Sequence, residues 1–356
     1  MIIYRAQLGS PNMNSGAKYA IIGGIVAVAI AIGAVAVFVS YDSGAQAATE
    51  TLTIYSGRSE SLVKPIIDRF TQDTGINAEV RYGDTAAMAL AIIEEGQNSP
   101  ADLFFAQDAG ALGALSKEGR LVTISDTILE RVEPQYASES GDWVGVTGRA
   151  RVVDYNIQLV DKAELPDSIW GLVEPQWRGK IGWAPSNGSF QSFITAMRVL
   201  EGDDRAREWL QGIMANEPVT FSGNSQIVEA IGRGEISVGL VNNYYLHRYQ
   251  NADPAFPVAH HYTQNDAGSM INIAGLAIVD TADNKDLAEQ FIDYMLSRDA
   301  QLYFSTETYE YPLLNGTKVL GPQLTLDQIS TPADLKLADI DDLEGTLNLI
   351  REVGAL

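Results

Sequence analysis

From residue 51 onward, apolar runs of two different periods take turns, and this alternation restricts the chain more than any other feature. TLTIY (51–55), INAEVRYG (76–83) and DLFF (102–105) read as strands. Between and after them, residues 61–73, TAAMALAIIEEG (85–96) and DAGALGALSKEG (108–119) carry helical spacing, with Leu62, Ile66, Ile67 and Phe70 on one face of the first. Such a series builds a mainly parallel sheet with helices on both faces, and its ligands bind beyond the carboxyl ends of the strands. A second series begins near residue 149. RARVVDYN (149–156) and KIGWAP (180–185) read as strands, SFQSFITAMRVLEG (189–202) and DDRAREWLQGIMAN (203–216) as helices, then VTF (219–221), the helix SQIVEAIGRG (225–234) and the strand ISVGLV (236–241). MINIAGLAIV (270–279) adds a strand, KDLAEQFIDYMLS (285–297) a helix, and the tail from Leu324 reads as short helices. A chain of 356 residues exceeds what one core usually serves, so two α/β lobes around a cleft are expected.

Residues 19–41, YAIIGGIVAVAIAIGAVAVFVSY, carry no charge and would span about 35 Å as a helix, enough to cross a bilayer. A retained transmembrane anchor and a cleaved signal both remain open, since Ala45-Gln46-Ala47 offers a cleavage site. Arg5 and Lys18 precede the run while Asp42 and Glu50 follow it, which puts 1–18 in the cytoplasm, 42–49 as a linker and the rest outside. Of 24 basic and 46 acidic residues, two basic and no acidic ones lie before residue 42, so the exterior part carries a formal charge of −24. That acidity argues against nucleic acid as a partner, because duplex affinity rests on Lys and Arg displacing counterions. With no cysteine there is no disulfide and no thiolate ligand, so any metal must be held by oxygen or imidazole.

Enzyme signatures are missing. There is no G-x-S-x-G elbow, Walker loop, dinucleotide glycine fingerprint or H-E-x-x-H pair, and only three histidines, His247, His260 and His261. The paired carboxylates Asp203-Asp204 and Asp341-Asp342 read as solvated faces. Chemistry concentrates in GLVNNYYLHRYQ (239–250), where Tyr244 and Tyr245 follow an apolar strand and the asparagines Asn242 and Asn243. Taken alone, an aromatic pair at a strand end is compatible with simple packing. In a regular strand the two rings point to opposite faces, so they can share a ligand only if the strand ends and the backbone turns.

Over about residues 50–356 the chain resembles the ferric-ion-binding proteins of ABC importers, a branch of the periplasmic substrate-binding proteins. The stretches that carry the resemblance are IYSGRSE (54–60), YGDTAAMALAIIEEGQNSPADLFFAQDAGALGAL (82–115), GRARVVDYN (148–156), GWAPSNGSFQSFITA (182–196), GLVNNYYLHRY (239–249), DAGSMINIAGLAIV (266–279) and YFSTETYEYPLL (303–314). The resemblance implies a two-lobed, type II periplasmic-binding-protein-like fold, with 50–150 plus about 275–315 as first lobe and 151–274 plus about 316–356 as second. It also implies that Tyr244 and Tyr245 supply phenolates to Fe³⁺, a hard cation suited to charged oxygen donors. A synergistic anion, carbonate or bicarbonate or phosphate, would complete the shell; Asn187, Gly188 and Ser189 match the family's anion loop, and Asn224 and Asn242 its anion-binding asparagines. Helix starts favour anions through free backbone N–H groups. Asn187 and Asn224 could equally serve as helix caps. Arg58 and Arg149 are candidate anion partners with structural ion pairing as the alternative.

The chain departs from the family where some members place a histidine and a glutamate: Ser59 and Gln107 stand there. Phe190 occupies the place of a third tyrosine in another subgroup, leaving Tyr155 as a candidate third phenolate or a hinge-packing residue. The combined reading is a monomeric, non-enzymatic solute-binding module on the outer side of the cell membrane, or secreted if cleaved. It would capture ferric iron for an ABC permease and its ATPase. The alternative is the same fold serving an oxyanion, an organophosphonate or another small anionic ligand.

Overall fold

The computed structural model describes residues 51–320 and 323–356. The apolar segment 19–41 lies outside the described residues. Among those that are described, no helix is long and apolar enough to cross a membrane. The first series folds as β1 (Thr51–Ser56), α1 (Glu60–Thr74), β2 (Asn77–Tyr82), α2 (Thr85–Glu95), β3 (Leu103–Ala106) and α3 (Ala109–Lys117). The short β4 (Leu121–Val122) and α4 (Asp126–Leu129) lead into β5 (Trp143–Asn156). β6 (Ile181–Trp183), α5 (Gly188–Glu201), α6 (Asp203–Ala215), β7 (Val219–Thr220), α7 (Asn224–Gly232), β8 (Val238–Asn242) and α8 (Tyr244–Ala252) form the second series. The chain closes with β9 (Val258–His261), β10 (Ile271–Val279), α9 (Lys285–Met295), α10 (Arg298–Glu307), β11 (Tyr311–Pro312) and α11 (Leu343–Glu352).

The strands run in the order β2-β1-β3-β10-β5-β8-β6-β7, and β5 belongs to two sheets. Its first part pairs with β10 from Trp143 to Ala150; its second part pairs with β8 and β9 from Arg151 to Asn156. One buried 14-residue strand thereby ties the two α/β halves together. The sequence pattern showed only its second part, because Gly145 and Gly148 break the run of β-formers. Close approach explains both glycines: a Cβ on Gly145 would come within 2.8 Å of the Tyr136 carbonyl, and one on Gly148 within 3.2 Å of Leu313.

The expectation of mainly parallel sheets needs correction. β1 pairs in parallel with β2 and β3, as does β6 with β7 and β8, through helical crossovers. β10, β8, β9 and β11 are all antiparallel to β5, so both sheets are mixed. In the first sheet β10 is the strand that runs against the parallel set, whereas in the second it is β5 itself. The tail does form short helices, and α11 packs on α5 through a Thr195–Thr346 hydroxyl bond of 2.7 Å. Asp341, expected to be solvated, is largely covered and pairs with Lys117, while Asp342 is exposed as expected and also pairs with Arg198.

Candidate functional site: a tyrosine pair beside buried guanidiniums

The site assembles where β5 passes from one sheet to the other. β8 ends at Asn242, and Asn243 already has helical angles (φ −56°, ψ −38°). Its backbone N–H donates to the Ala150 carbonyl at 3.0 Å, and its side-chain oxygen accepts from the Ala150 N–H at 2.9 Å. Asn243 therefore completes the ladder on the crossing strand while the backbone turns. That turn lets two consecutive side chains meet: the Tyr244 and Tyr245 rings stack with centroids 4.3 Å apart, and their hydroxyls are 3.0 Å apart. Tyr244 is buried at 1% exposure. Burial and the Tyr245 phenol raise its hydroxyl well above the ordinary tyrosine range, against the pull of Arg149 and Arg58.

Facing the pair is an unusual concentration of buried positive charge. Arg149 and Arg151 alternate along β5 and so share a face, opposite Asn272 of β10 and Asn242 of β8 respectively. All three guanidinium nitrogens of Arg149 lack a partner, as do Nε and Nη1 of Arg151 and Nδ2 of Asn242. Burial lowers Arg149 and pushes Arg151 down to about 9, with Tyr245 opposing the latter shift. A cavity of about 10 Å³ lies among Arg149, Arg151, Ser189, Asn242, Met270 and Asn272, room for roughly one water-sized atom. Arg149 is compensated through space by Tyr244, Asp108 and Glu310, and Arg151 by Tyr245 and Asp154, but these buried donors without hydrogen-bond partners are costly to keep.

The other expected residues divide. Asn187, Ser189 and Asn224 come together at the start of α5, but they bond to one another. The Asn187 side chain accepts from the Ser189 N–H at 3.1 Å and from its hydroxyl at 2.5 Å, and Asn224 donates to the Ser189 hydroxyl at 3.2 Å. Asn187 is thus the N-cap, with Gly188 opening the helix. Arg58 is fully buried, donating to Glu310 at 2.6 Å and to Gln107 at 2.8 Å, with only Nε unpartnered. Burial alone would lower its pKa, but the facing Glu310 carboxylate and the tyrosines leave it raised. Gln107 thus orients Arg58, while Ser59 is exposed at the N-cap of α1. Tyr155 is not brought to the pair. It sits opposite Val238, four strand positions from the Arg151–Asn242 pairing, or about 13 Å along β5. His247 packs against His260 and Tyr309, and His260 bonds Asp154 at 2.5 Å. Among the described residues no group of three or more His, Asp or Glu side chains is placed to hold a metal.

Sequence reasoning missed Arg151, Asn272 and Glu310. The spacing of RAR in a strand did hold the signal for Arg151, since residues two apart share a face. Asn272 and Glu310 reach the site only through long-range pairing, and no local pattern marks them.

Two α/β halves joined by a shared strand, with polar groups gathered at the joint, define a two-lobed solute-binding protein. Residues 65–322 match the bacterial extracellular solute-binding protein family, and the chain belongs to it. It is 31% identical over 280 residues to the major ferric iron-binding protein of Neisseria meningitidis serogroup A, covering 76% of this chain and 83% of that one. Its fold matches iron-bound HitA from Pseudomonas aeruginosa with a TM-score of 0.82 at 31% identity, covering 86% and 99% of the two chains. It also matches the Trichodesmium protein IdiA (FutA) in complex with iron and citrate ligands, with a TM-score of 0.71 at 30% identity, covering 85% and 99%.

Proposed function

We propose that this protein captures ferric iron in its interlobe cleft as the extracytoplasmic binding component of an ABC importer. The observation that carries the reading is the strand-to-helix switch, which sets the Tyr244 and Tyr245 hydroxyls 3.0 Å apart beside unpartnered guanidiniums. Two phenolates reduce the ion's charge from +3 to +1, and the metal's own field removes the phenol protons, as metals do for water and thiols. The orphaned donors of Arg149 and Asn242 favour a synergistic anion of the carbonate or phosphate kind as the remaining ligand. The names of the relatives, which are binding proteins for iron, support capture rather than turnover.

In this reading 50–150 with about 275–315 and 151–274 with about 316–356 are the two lobes, β5 is a hinge strand, and iron closes them for recognition by a permease and its ATPase. Residues 19–41 hold the module, as a monomer, on the outer face of the membrane or are removed on secretion. Adding ferric citrate with bicarbonate or phosphate to purified residues 42–356 should give a phenolate-to-iron charge-transfer band. Tyr244→Phe/Tyr245→Phe should lose it. A colourless, iron-free protein under every anion tested overturns the proposal, and iron binding unchanged in the double variant removes the tyrosines from it.

A further inference from the structure

We infer that Tyr309 is a positioning residue for the phenol pair: it lies as a splint along α8 and ties that helix, and with it Tyr244 and Tyr245, to the first-sheet side of the molecule. The inference rests on the ferric reading and deepens it by naming what holds the two phenols in place. α8 opens with both tyrosines, and Asn243, His247 and Asn251 fall at i, i+4 and i+8, hence on one face of the helix counted from its N-cap. Tyr309 touches all three. Its carbonyl accepts from Asn243 Nδ2 at 3.5 Å, its ring centre lies 5.2 Å from that of His247, and its hydroxyl accepts from Asn251 Nδ2. Backbone, ring and hydroxyl of a single residue thereby span about 12 Å of helix.

The backbone at this position argues that the side chain is what matters there. Tyr309 follows the end of α10 at φ 60°, in the left-handed region where glycine is the usual residue and a bulky side chain is strained. A glycine would make the same turn without strain, so what the tyrosine adds is its contacts with α8. Its neighbours hold it from the first-sheet side. Buried Glu310 accepts from Arg58 at 2.6 Å and from Thr147 at 3.0 Å, and its N–H donates to the Phe304 carbonyl at 3.0 Å. Tyr311 pairs with Gly148 on the first part of β5. α8 follows β8, which pairs with the second part of β5. Tyr309 is therefore a link between the two sides that ends on the helix carrying the phenols.

Two measurements test it: the decay of the charge-transfer band when a competing chelator is added to iron-loaded protein, and hydrogen exchange of the α8 amides in metal-free protein. Tyr309→Gly, which suits the backbone and removes the splint, should speed iron release by about tenfold and shift the band, as losing a support behind a ligand does. Asn251→Ala changes an exposed side chain about 9 Å along the helix from Tyr245, yet it should speed release roughly threefold, as should Tyr309→Phe. Tyr309→Phe/Asn251→Ala should be no faster than either single variant, because both remove one and the same bond. Without metal, Tyr309→Gly should quicken exchange in α8 and leave β10 unchanged. Parental release and band in Tyr309→Gly, additive effects in the double variant, or parental α8 exchange in Tyr309→Gly overturns the inference. Quickened α8 exchange in a protein whose parent binds no iron would sink the ferric reading and leave the splint standing.

Discussion

The two sides of the site are built on opposite plans. On the second-sheet side, β8 hands over to α8 and presents two adjacent phenols with nothing between them but their own 3.0 Å contact. On the first-sheet side, Arg58 is locked to Glu310 and Gln107, and Ser59 faces solvent, so neither Gln107 nor Ser59 is poised to bind a cation directly. One side is unfinished and the other is closed. Under the proposed function, ligation falls to the second side, the first sets the local charge, and outside oxygen completes the metal shell.

The largest effect should come from breaking the unfinished side. Replacing either phenol, Tyr244→Phe or Tyr245→Phe, removes a charged ligand and should weaken ferric binding by more than the ~10–100-fold that outer-shell losses cost. Titration against a competing chelator, read at the charge-transfer band, measures it. Binding should also release about two protons per iron near neutral pH, one from each phenol, so affinity should climb as pH rises. Equal affinity across pH 6 to 8 would mean that the phenols are not the ligands.

The closed side should reveal itself in stability. In Glu310→Gln the fully buried Arg58 loses its only ion-pair partner among the described residues, and breaking such a pair by removing one member costs about 3–5 kcal/mol. Thr147 and Thr308, which donate to the same carboxylate, lose a charged acceptor as well. Urea unfolding of the metal-free protein checks this. A loss below about 1 kcal/mol would show that Arg58 is paired by something other than Glu310.

How much of this was legible beforehand depended on range. The alternation of periods was local, and nearly every strand and helix read from it is present within a residue or two: the run 85–96 became Thr85–Glu95, and 189–202 became Gly188–Glu201. The tyrosine pair was legible as a motif. Its geometry was not, because the turn at Asn243 is held by Ala150, far away in the chain. Of the two capping alternatives, Asn187 does cap α5, whereas α7 is preceded by Gly223 and Asn224 is its first residue. The anion-facing charge was half seen: Arg149 was named and Arg151 passed over, although both stand on one face of the same strand. What no pattern could supply was the opposition of Asn272 and Asn242 to those arginines, since strand register across sheets is decided by packing of the whole fold.

A smaller effect should follow from giving the closed side a charged oxygen. Gln107→Glu keeps the size of the side chain and the contact with Arg58 while adding an acid beside the site. The added charge competes with the exogenous anion, so iron binding should become less dependent on bicarbonate by about tenfold, or ~1.4 kcal/mol. If instead the new carboxylate is wholly consumed by Arg58, dependence on bicarbonate stays unchanged and the first side is purely structural.

The smallest effect is expected at Tyr155, and it tests where the site ends. Its side chain shares the face of Arg149 and Arg151, which is why alternation alone cannot dismiss it, yet it stands about 13 Å farther along β5. Burial, followed by the charge of Asp161, raises its hydroxyl, so there is no local help toward the phenolate form. Tyr155→Phe should therefore leave the position and strength of the charge-transfer band unchanged. A band that shifts or weakens would require the second half of β5 to slide by several residues when iron binds, and β5 would then be a moving part of the site rather than the fixed strand on which both sides are hung.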